Sequence, residues 1–263
     1  MHIHSDNSSD GESSVIEECE SAVSAHLKHI AITDHCDIDL YEKENCGLAL
    51  RQSYFDILKA RSVFEGCINI IHGVELGNCY YDPLAAEAVT SRFPYDFVLG
   101  SIHSVSGYDD FAFIDFKKVS ADELVKLYLN ELEGMIEWGG FDVLAHLTYP
   151  LRYINGIYKM ELDFKKYQEQ VETIIKKVVK KNKGLEINTS GLRQPYGMTM
   201  PDIWCLKLYF EAGGEILTMG SDAHRAADIG ANIMDAVKLA KQAGFKYYSV
   251  FKKRHPVFIK IEI

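Results

Sequence analysis

Ile68-Asn69-Ile70-Ile71-His72-Gly73-Val74-Glu75-Leu76-Gly77 is an apolar, largely β-branched run that ends on a carboxylate flanked by glycines. It reads as a buried strand delivering Glu75 at its downstream end, with the glycines allowing close approach. Working outward, the same layout recurs. Candidate strands lie at 1–4, 29–33, 68–75, 95–102, 142–146, 185–188 and 215–220, each followed by a helix-like or loop segment, and a further β-rich stretch covers 247–251 and 257–263. Alternation of this kind feeds a parallel sheet, so the fold class is α/β. The number of strands favours a barrel over an open sheet. In such barrels the reactive groups sit where strands end and loops begin.

Nine side chains of metal-ligand type occupy those places: His2, His4, Asp10, His35, Glu75, His103, His146, Asp222 and His224. Residues two apart on a strand share a face, so His2 and His4 can grip one ion together. Asp222 and His224 repeat that spacing in Gly220-Ser221-Asp222-Ala223-His224, directly after the apolar stretch 216–219. The loop 5–11 would return Asp10 over the first strand end. His35 follows Thr33-Asp34, with Asp34 placed to orient a ligand by a hydrogen bond. His103 in Gly100-Ser101-Ile102-His103 and His146 in Leu144-Ala145-His146 complete the pattern. Any one of these histidines alone would be read as a hydrogen-bonded core residue; the set reads as a site for two or three divalent ions, with Zn, Fe or Mn suited to imidazole and carboxylate donors. Glu75 is the candidate bridge. His26 and His29 lie at the upstream side of a strand and His255 in the tail, and His72, three residues before Glu75, should face the opposite way.

The chain has 263 residues, 47% of them hydrophobic, which is enough for one large core, and no Ser/Gly/Pro-rich stretch divides it. We expect a single domain over 1–263. No apolar run is long enough to span a bilayer, and the N-terminus has no basic then apolar leader, so a cytoplasmic protein without membrane contact is expected. Six cysteines without a C-x-x-C pair fit reduced thiols better than a disulfide framework. A net charge of −10 disfavours a nucleic-acid polymer as partner and favours a small substrate. The lysines of 165–183 lie beside an apolar helical stripe, Val171, Ile174, Ile175, Val178 and Val179, and read as the solvated face of an outer helix.

In the stretches His2 to Gly11, Thr33-Asp34-His35, Gly73-Val74-Glu75, His103, His146 and Ser221 to His224, the chain resembles the PHP (polymerase and histidinol phosphatase) metal-dependent phosphoesterases. That resemblance implies a distorted (β/α)7 TIM-like barrel with a trinuclear centre. It assigns His2, His4, Glu75 and Asp222 to one ion, Glu75, His103 and His146 to a second, and Asp10, His35 and His224 to the third. Members usually carry an acidic residue just upstream of H-x-H. Here only Met1 precedes His2, so either a supporting contact is missing or the native start lies upstream. Asp10 stands where the family has histidine or aspartate, a harder donor that favours iron or manganese.

The segments from His146 to Tyr153 and from Glu186 to Arg193 are similar to those of histidinol-phosphate phosphatases, in which arginines bind the substrate phosphate. Arg152 and Arg193 are the matching residues, and Arg225 is a third candidate. A guanidinium fork fits phosphate oxygens in a bidentate manner. The implied reaction is hydrolysis of a small phosphate monoester, L-histidinol phosphate first, by a metal-bridging hydroxide attacking in line. Glu75, His103 and Asp222 are the catalytic candidates, and Asp222 or a metal-bound water would protonate the leaving oxygen. Tyr80, Tyr81, Tyr149, Tyr153 and Tyr196 fall near strand ends, where they would line a pocket or simply pack the loops. The alternatives are a phosphoesterase acting on nucleotides, sugar phosphates or phosphotyrosine, and a non-catalytic metal-binding protein.

Overall fold

The computed structural model describes residues 1–262. Its strands are β1 His29–Ile32, β2 His35–Asp37, β3 Asn69–Gly77, β4 Phe97–Ser101, β5 Val143–Leu144, β6 Gly184–Asn188, β7 Leu217–Gly220, β8 Tyr247–Lys252 and β9 His255–Lys260. The helices are α1 Val15–Ser24, α2 Cys46–Val63, α3 Pro83–Arg92, α4 Ala121–Trp138, α5 Tyr149–Ile154, α6 Gln168–Lys180, α7 Ile203–Glu211 and α8 Ile233–Ala243. β1 and β3 to β7 pair in parallel in the order β1-β3-β4-β5-β6-β7, and β2 prolongs the β1 side by pairing with the upper half of β3.

Residues 1–4, expected as a strand, make only one bridge, Ile3 to Ala223. The segment is nonetheless extended and closes the sheet on itself. On one side the His4 amide donates to the Ala223 carbonyl (2.8 Å) and the Asp222 amide to the His2 carbonyl (2.9 Å); on the other the Thr33 amide donates to the Ile3 carbonyl (2.8 Å). Regular pairing stops at Ser5 because its amide (2.7 Å) and hydroxyl turn to the Asp34 carboxylate. The result is a distorted barrel of seven staves, as the sequence led us to expect. The stave expected at 142–146 keeps only two ladder residues, and the β strand after Asp34 was not anticipated.

Strand alternation sorts the side chains into two sets. On β3, Val74 and Leu76 join the large outer core under the helices, while Ile71 lies inside the barrel with Ala31, Phe97, Leu99, Val143 and Ala145. Glu75 shares the inward parity of Ile71, one layer higher. His72 has the outward parity and packs among Tyr54, Phe93 and Tyr95. The lower end of the barrel is stoppered by the antiparallel hairpin β8–β9, which inserts Val250 and Phe251 into that inner cluster. Arg254 at its turn pairs with Asp142 and donates to the Gly140 carbonyl (2.6 Å).

The lysine-rich helix α6 buries Val171, Ile174, Ile175 and Val178. Lys177 reaches Glu133 (2.8 Å) and Lys181, just past the helix end, reaches Glu137 (3.1 Å), so these two cations face carboxylates of α4. No described helix is long and apolar enough to cross a membrane.

Candidate metal centre and substrate cavity

All nine ligand candidates converge at the upper rim of the barrel. Glu75 lies at the middle, fully buried, and its two oxygens face different partners. Oε1 is 3.1 Å from His103 Nε2 and 2.8 Å from His146 Nε2. Oε2 is 3.1 Å from His2 Nε2, 3.3 Å from His4 Nε2 and 3.0 Å from His35 Nδ1. Asp222 Oδ1 completes the second group at 3.3 Å from His4 Nε2 and 3.7 Å from His2 Nε2. A third group forms at the edge, where Asp10 lies 3.1 Å from His224 Nε2 and 3.7 Å from His35 Nε2. The His4 ring stacks on His35 and His224, with centroids at 4.0 and 4.3 Å.

These spacings suit metal ions. Donors about 2.0–2.2 Å from a tetrahedral ion stand roughly 3.3–3.6 Å apart, close to the separations in each group. His4 Nε2 and His35 Nδ1 are buried and make no hydrogen bond although both lie against Glu75, which is the arrangement of donors aimed at a common point. Four triads of His, Asp and Glu bring their ligand atoms within 4.8 Å of one another: His4, His35 and His224; His2, Glu75 and His146; His2, His4 and Asp222; and His35, Glu75 and His103.

Electrostatics agree. Burial by itself would raise the Glu75 and Asp222 carboxyls, but the surrounding histidines, His2 foremost, hold both well below the usual carboxylate range. His2 and His103 are raised despite burial, chiefly by Glu186 and Asp37 respectively. His4 is lowered by burial and by its neighbours His35 and His224. The cluster is thus a set of carboxylates balanced by imidazoles, ready to exchange protons for metal cations.

Two carboxylates that the sequence reading missed orient the histidines. Glu186 Oε1 is 2.8 Å from His2 Nδ1, and its Oε2 accepts from the His146 amide (3.0 Å). Asp37 Oδ1 is 2.9 Å from His103 Nδ1. Each fixes a ring so that Nε2 faces Glu75. Two glycines make room for them: a Cβ at Gly77 would collide with Asp37 Oδ1, and one at Gly220 with Glu186 Oε1. Those glycines are the signal a sequence reading could have used. Asp222 is likewise steadied, accepting on Oδ2 from Asn188 (3.2 Å) and Ser190 (3.1 Å). The backbone holds His146 and Asp222 at φ 23° and 51°, a left-handed conformation that non-glycine residues adopt at some cost.

Asp34 makes no hydrogen bond to a histidine ring itself and reaches His4 Nδ1 only through Ser8 Oγ (3.5 Å). It gathers the hydroxyls of Ser5, Ser8 and Ser53, and Ser8 Oγ in turn accepts from the His35 amide (3.1 Å). It therefore secures the loop that carries Asp10.

Above the cluster is a cavity of about 350 Å³ whose walls include Asp37, Glu44, Asp110, Tyr149, Arg152 and Tyr153. Tyr149 packs against His103 and His146, centroids 5.2 and 4.9 Å away, and hydrogen bonds Tyr153 (2.9 Å). Arg152 lies across both tyrosines, 5.9 and 5.5 Å from their ring centres. Arg193, also expected at the phosphate, is not among the residues lining this cavity: it donates to the Ser221 carbonyl (2.7 Å) and lies 3.6 Å from Asp228, with its Nη1 buried and making no hydrogen bond. Arg225 is 56% exposed and tied to Asp228 (2.9 Å), so it stays outside the cavity, contrary to expectation, because its own carboxylate partner lies three residues away. Tyr80, Tyr81 and Tyr196 do not line the cavity either.

A barrel rim carrying grouped histidines about a central carboxylate defines a barrel protein with a donor set suited to metal ions. Residues 1–190 match the PHP domain family, and the chain belongs to it. It is 32% identical over 259 residues to a probable histidinol-phosphatase of Thermotoga maritima, covering 97% of this chain and 96% of that one. It is 26% identical over 254 residues to the histidinol-phosphatase of Lactococcus lactis, covering 95% and 93%. The fold is similar to the crystal structure of the Lactococcus lactis histidinol phosphate phosphatase complexed with zinc, L-histidinol and phosphate, with a TM-score of 0.76, 22% identity and 97% of each chain covered.

Proposed function

We propose that the protein is a metal-dependent phosphatase that hydrolyses L-histidinol phosphate to L-histidinol and phosphate. The observation that carries the reading is the division of Glu75, one oxygen toward His103 and His146 and the other toward His2 and His4, which would let it serve two neighbouring donor groups at once. The relatives named above support the substrate.

His2, His4, Glu75 and Asp222 would hold one ion, Glu75, His103 and His146 a second, and Asp10, His35 and His224 a third, of zinc, iron or manganese. Such ions supply Lewis acidity toward the phosphoryl group and a water acidic enough to attack at neutral pH. The chain's own residues do the positioning. Arg152, in the cavity wall, and Arg193, with an unpartnered Nη1, grip phosphate oxygens and offset the charge that grows on them. Glu186 and Asp37 keep His2 and His103 in the one ring orientation that serves the centre. Tyr149 and Tyr153 screen one side of the reacting group from water. Asp222, held on Oδ2 by Asn188 and Ser190, is our candidate to pass the attacking water's proton to the leaving oxygen.

The test is phosphate release from L-histidinol phosphate with manganese, zinc or iron supplied, beside nucleotides, sugar phosphates and phosphotyrosine. The reading requires a kcat/KM for histidinol phosphate well above every other ester, abolished by a chelator and restored by metal. Activity concentrated on another ester overturns the substrate, and bound metal without turnover of any ester overturns the enzyme.

A further inference from the structure

Asn78, the residue after β3, is 1% exposed and held at φ 50°, the left-handed region in which His146 and Asp222 also stand. Non-glycine residues kept in that conformation gather at functional sites, where the surrounding structure compensates for them. Asn78 is not in the cavity wall and hydrogen bonds no imidazole ring among the described residues, yet its side-chain amide is fully used. Oδ1 accepts from the backbone amides of His103 (3.0 Å) and Ser104 (3.4 Å), and Nδ2 donates to Asp39 Oδ1 (2.9 Å) and Ser104 Oγ (3.0 Å). Its backbone amide donates to the Ser101 carbonyl (3.0 Å) at the end of β4. Asn78 thus joins three pieces of chain: β3, which carries Glu75, the segment that carries His103, and the helical turn Ile38–Leu40 directly after Asp37.

Both supports of His103 pass through this residue. The His103 backbone amide ends on Asn78 Oδ1, and the His103 ring is turned by Asp37 (2.9 Å), whose loop Asn78 holds at Asp39. Without the Asn78 side chain, Glu75, His103 and His146 would all remain, but His103 would be free to shift against the other two. Resting on the reading above, we infer that Asn78 is a positioning residue for the ion assigned to Glu75, His103 and His146. It sets His103 Nε2 against Glu75 Oε1 by fixing the backbone of that histidine and its orienting loop together. The position needs an amide and not polarity alone. A carboxylate at 78 could still accept from the two backbone amides but would face Asp39 charge to charge, whereas glycine would keep the left-handed backbone and delete the clamp.

The test titrates four metal-free proteins with zinc, in competition with a chromophoric chelator: wild type, Asn78→Gly, Asn78→Asp, and Asn78→Asp combined with Asp39→Asn. Melting temperature and kinetics on L-histidinol phosphate are measured alongside. Asn78→Gly is expected to weaken one zinc equivalent about 10- to 100-fold and leave the others within about twofold of wild type. Its kcat should fall at limiting zinc and recover at saturating zinc, with KM unchanged. Asn78→Asp should show the same selective loss, and the exchanged pair, which restores a donor between positions 39 and 78, should regain most of it. If Asn78→Gly does not fold, the Asn78→Asp variant and the exchanged pair decide the matter. Equal weakening of every zinc equivalent, unchanged zinc binding, or an exchanged pair no better than Asn78→Asp alone would each reduce Asn78 to a structural residue and overturn the inference. A wild type that binds zinc but does not hydrolyse histidinol phosphate would remove the substrate reading and leave this inference to the zinc titration; a wild type that binds no zinc would remove both.

Discussion

Replacing Glu18 with methionine should stabilise the protein, and by an amount that depends on pH. Glu18 lies on the buried face of α1 with Val15, Cys19 and Ala22, and neither of its carboxyl oxygens has a hydrogen-bond partner. Burial, with Asp34 and Asp6 nearby, pushes its pKa from the ordinary 4.5 to about 10. The folded protein thus keeps a proton that the unfolded chain releases, so Glu18's contribution is most favourable below pH 4.5 and is lost steadily as pH rises toward 10. At about 1.4 kcal/mol per pH unit, the residue costs roughly 3 kcal/mol at pH 7. Between pH 5 and pH 8 the cost should grow by about 4 kcal/mol.

Methionine has a similar length, carries no group to ionise, and suits an apolar site. Urea unfolding of both proteins at a series of pH values, with the same metal load, isolates the effect, because the titrating groups that do not interact with Glu18 cancel in the difference and Asp34 and Asp6 enter only through their coupling to it. The gap in stability should widen from pH 5 to pH 8. A gap that is flat across that range would show that Glu18 is ionised and compensated in the folded state, and would refute the reasoning.

Three further outcomes follow from the site. Glu75→Gln should lower kcat by about 1000-fold or more, several kcal/mol of charge stabilisation, and reduce metal content while the circular dichroism spectrum stays native; unchanged kinetics would dispose of the bridging role. Asp37→Ala leaves every ligand in place but frees the His103 ring, and a titration with metal should show affinity weakened about 10- to 100-fold; an unaltered isotherm would mean that the ring is fixed by something else. Arg152→Ala and Arg193→Ala should each raise KM about 10- to 100-fold with smaller effects on kcat, whereas Arg225→Ala should behave as wild type because its guanidinium already faces Asp228 outside the cavity; steady-state kinetics on the three variants decides both points.

The strands were legible because a buried parallel strand is an apolar run with a fixed alternation, and that alternation alone separated Glu75 from His72 on one strand. The ligand candidates were legible because strand ends deliver side chains to one rim, so their order along the chain becomes proximity in space. What could not be read was orientation. Glu186 and Asp37 are ordinary acids in the sequence, and their importance arises only where β6 and β2 bring them against His2 and His103. Asp34 was read as a neighbour of His35, but alternation turns it away from the ring toward the serines of a loop some thirty residues earlier. Arg225 was grouped with the other arginines by position after a strand, although a nearer carboxylate claims it. The stopper hairpin has the composition of another strand pair, and nothing in its periodicity says that it plugs the barrel rather than joining it.

The closure of the barrel by residues 1–4 sets a timetable for the molecule's assembly. His2 and His4 meet their bonding partners Asp222 and Ala223 only after more than two hundred intervening residues have been made and folded. Joining ends so far apart carries an entropic cost of roughly 5 kcal/mol for the loop alone, and long-range contacts of this kind form late. During synthesis the leading histidine pair waits without its carboxylate partner from β7, while the histidines and Glu75 of the middle strands can already gather. The donor group of His2, His4 and Asp222 is therefore the last to be finished, and its completion requires that both halves of the chain have come together.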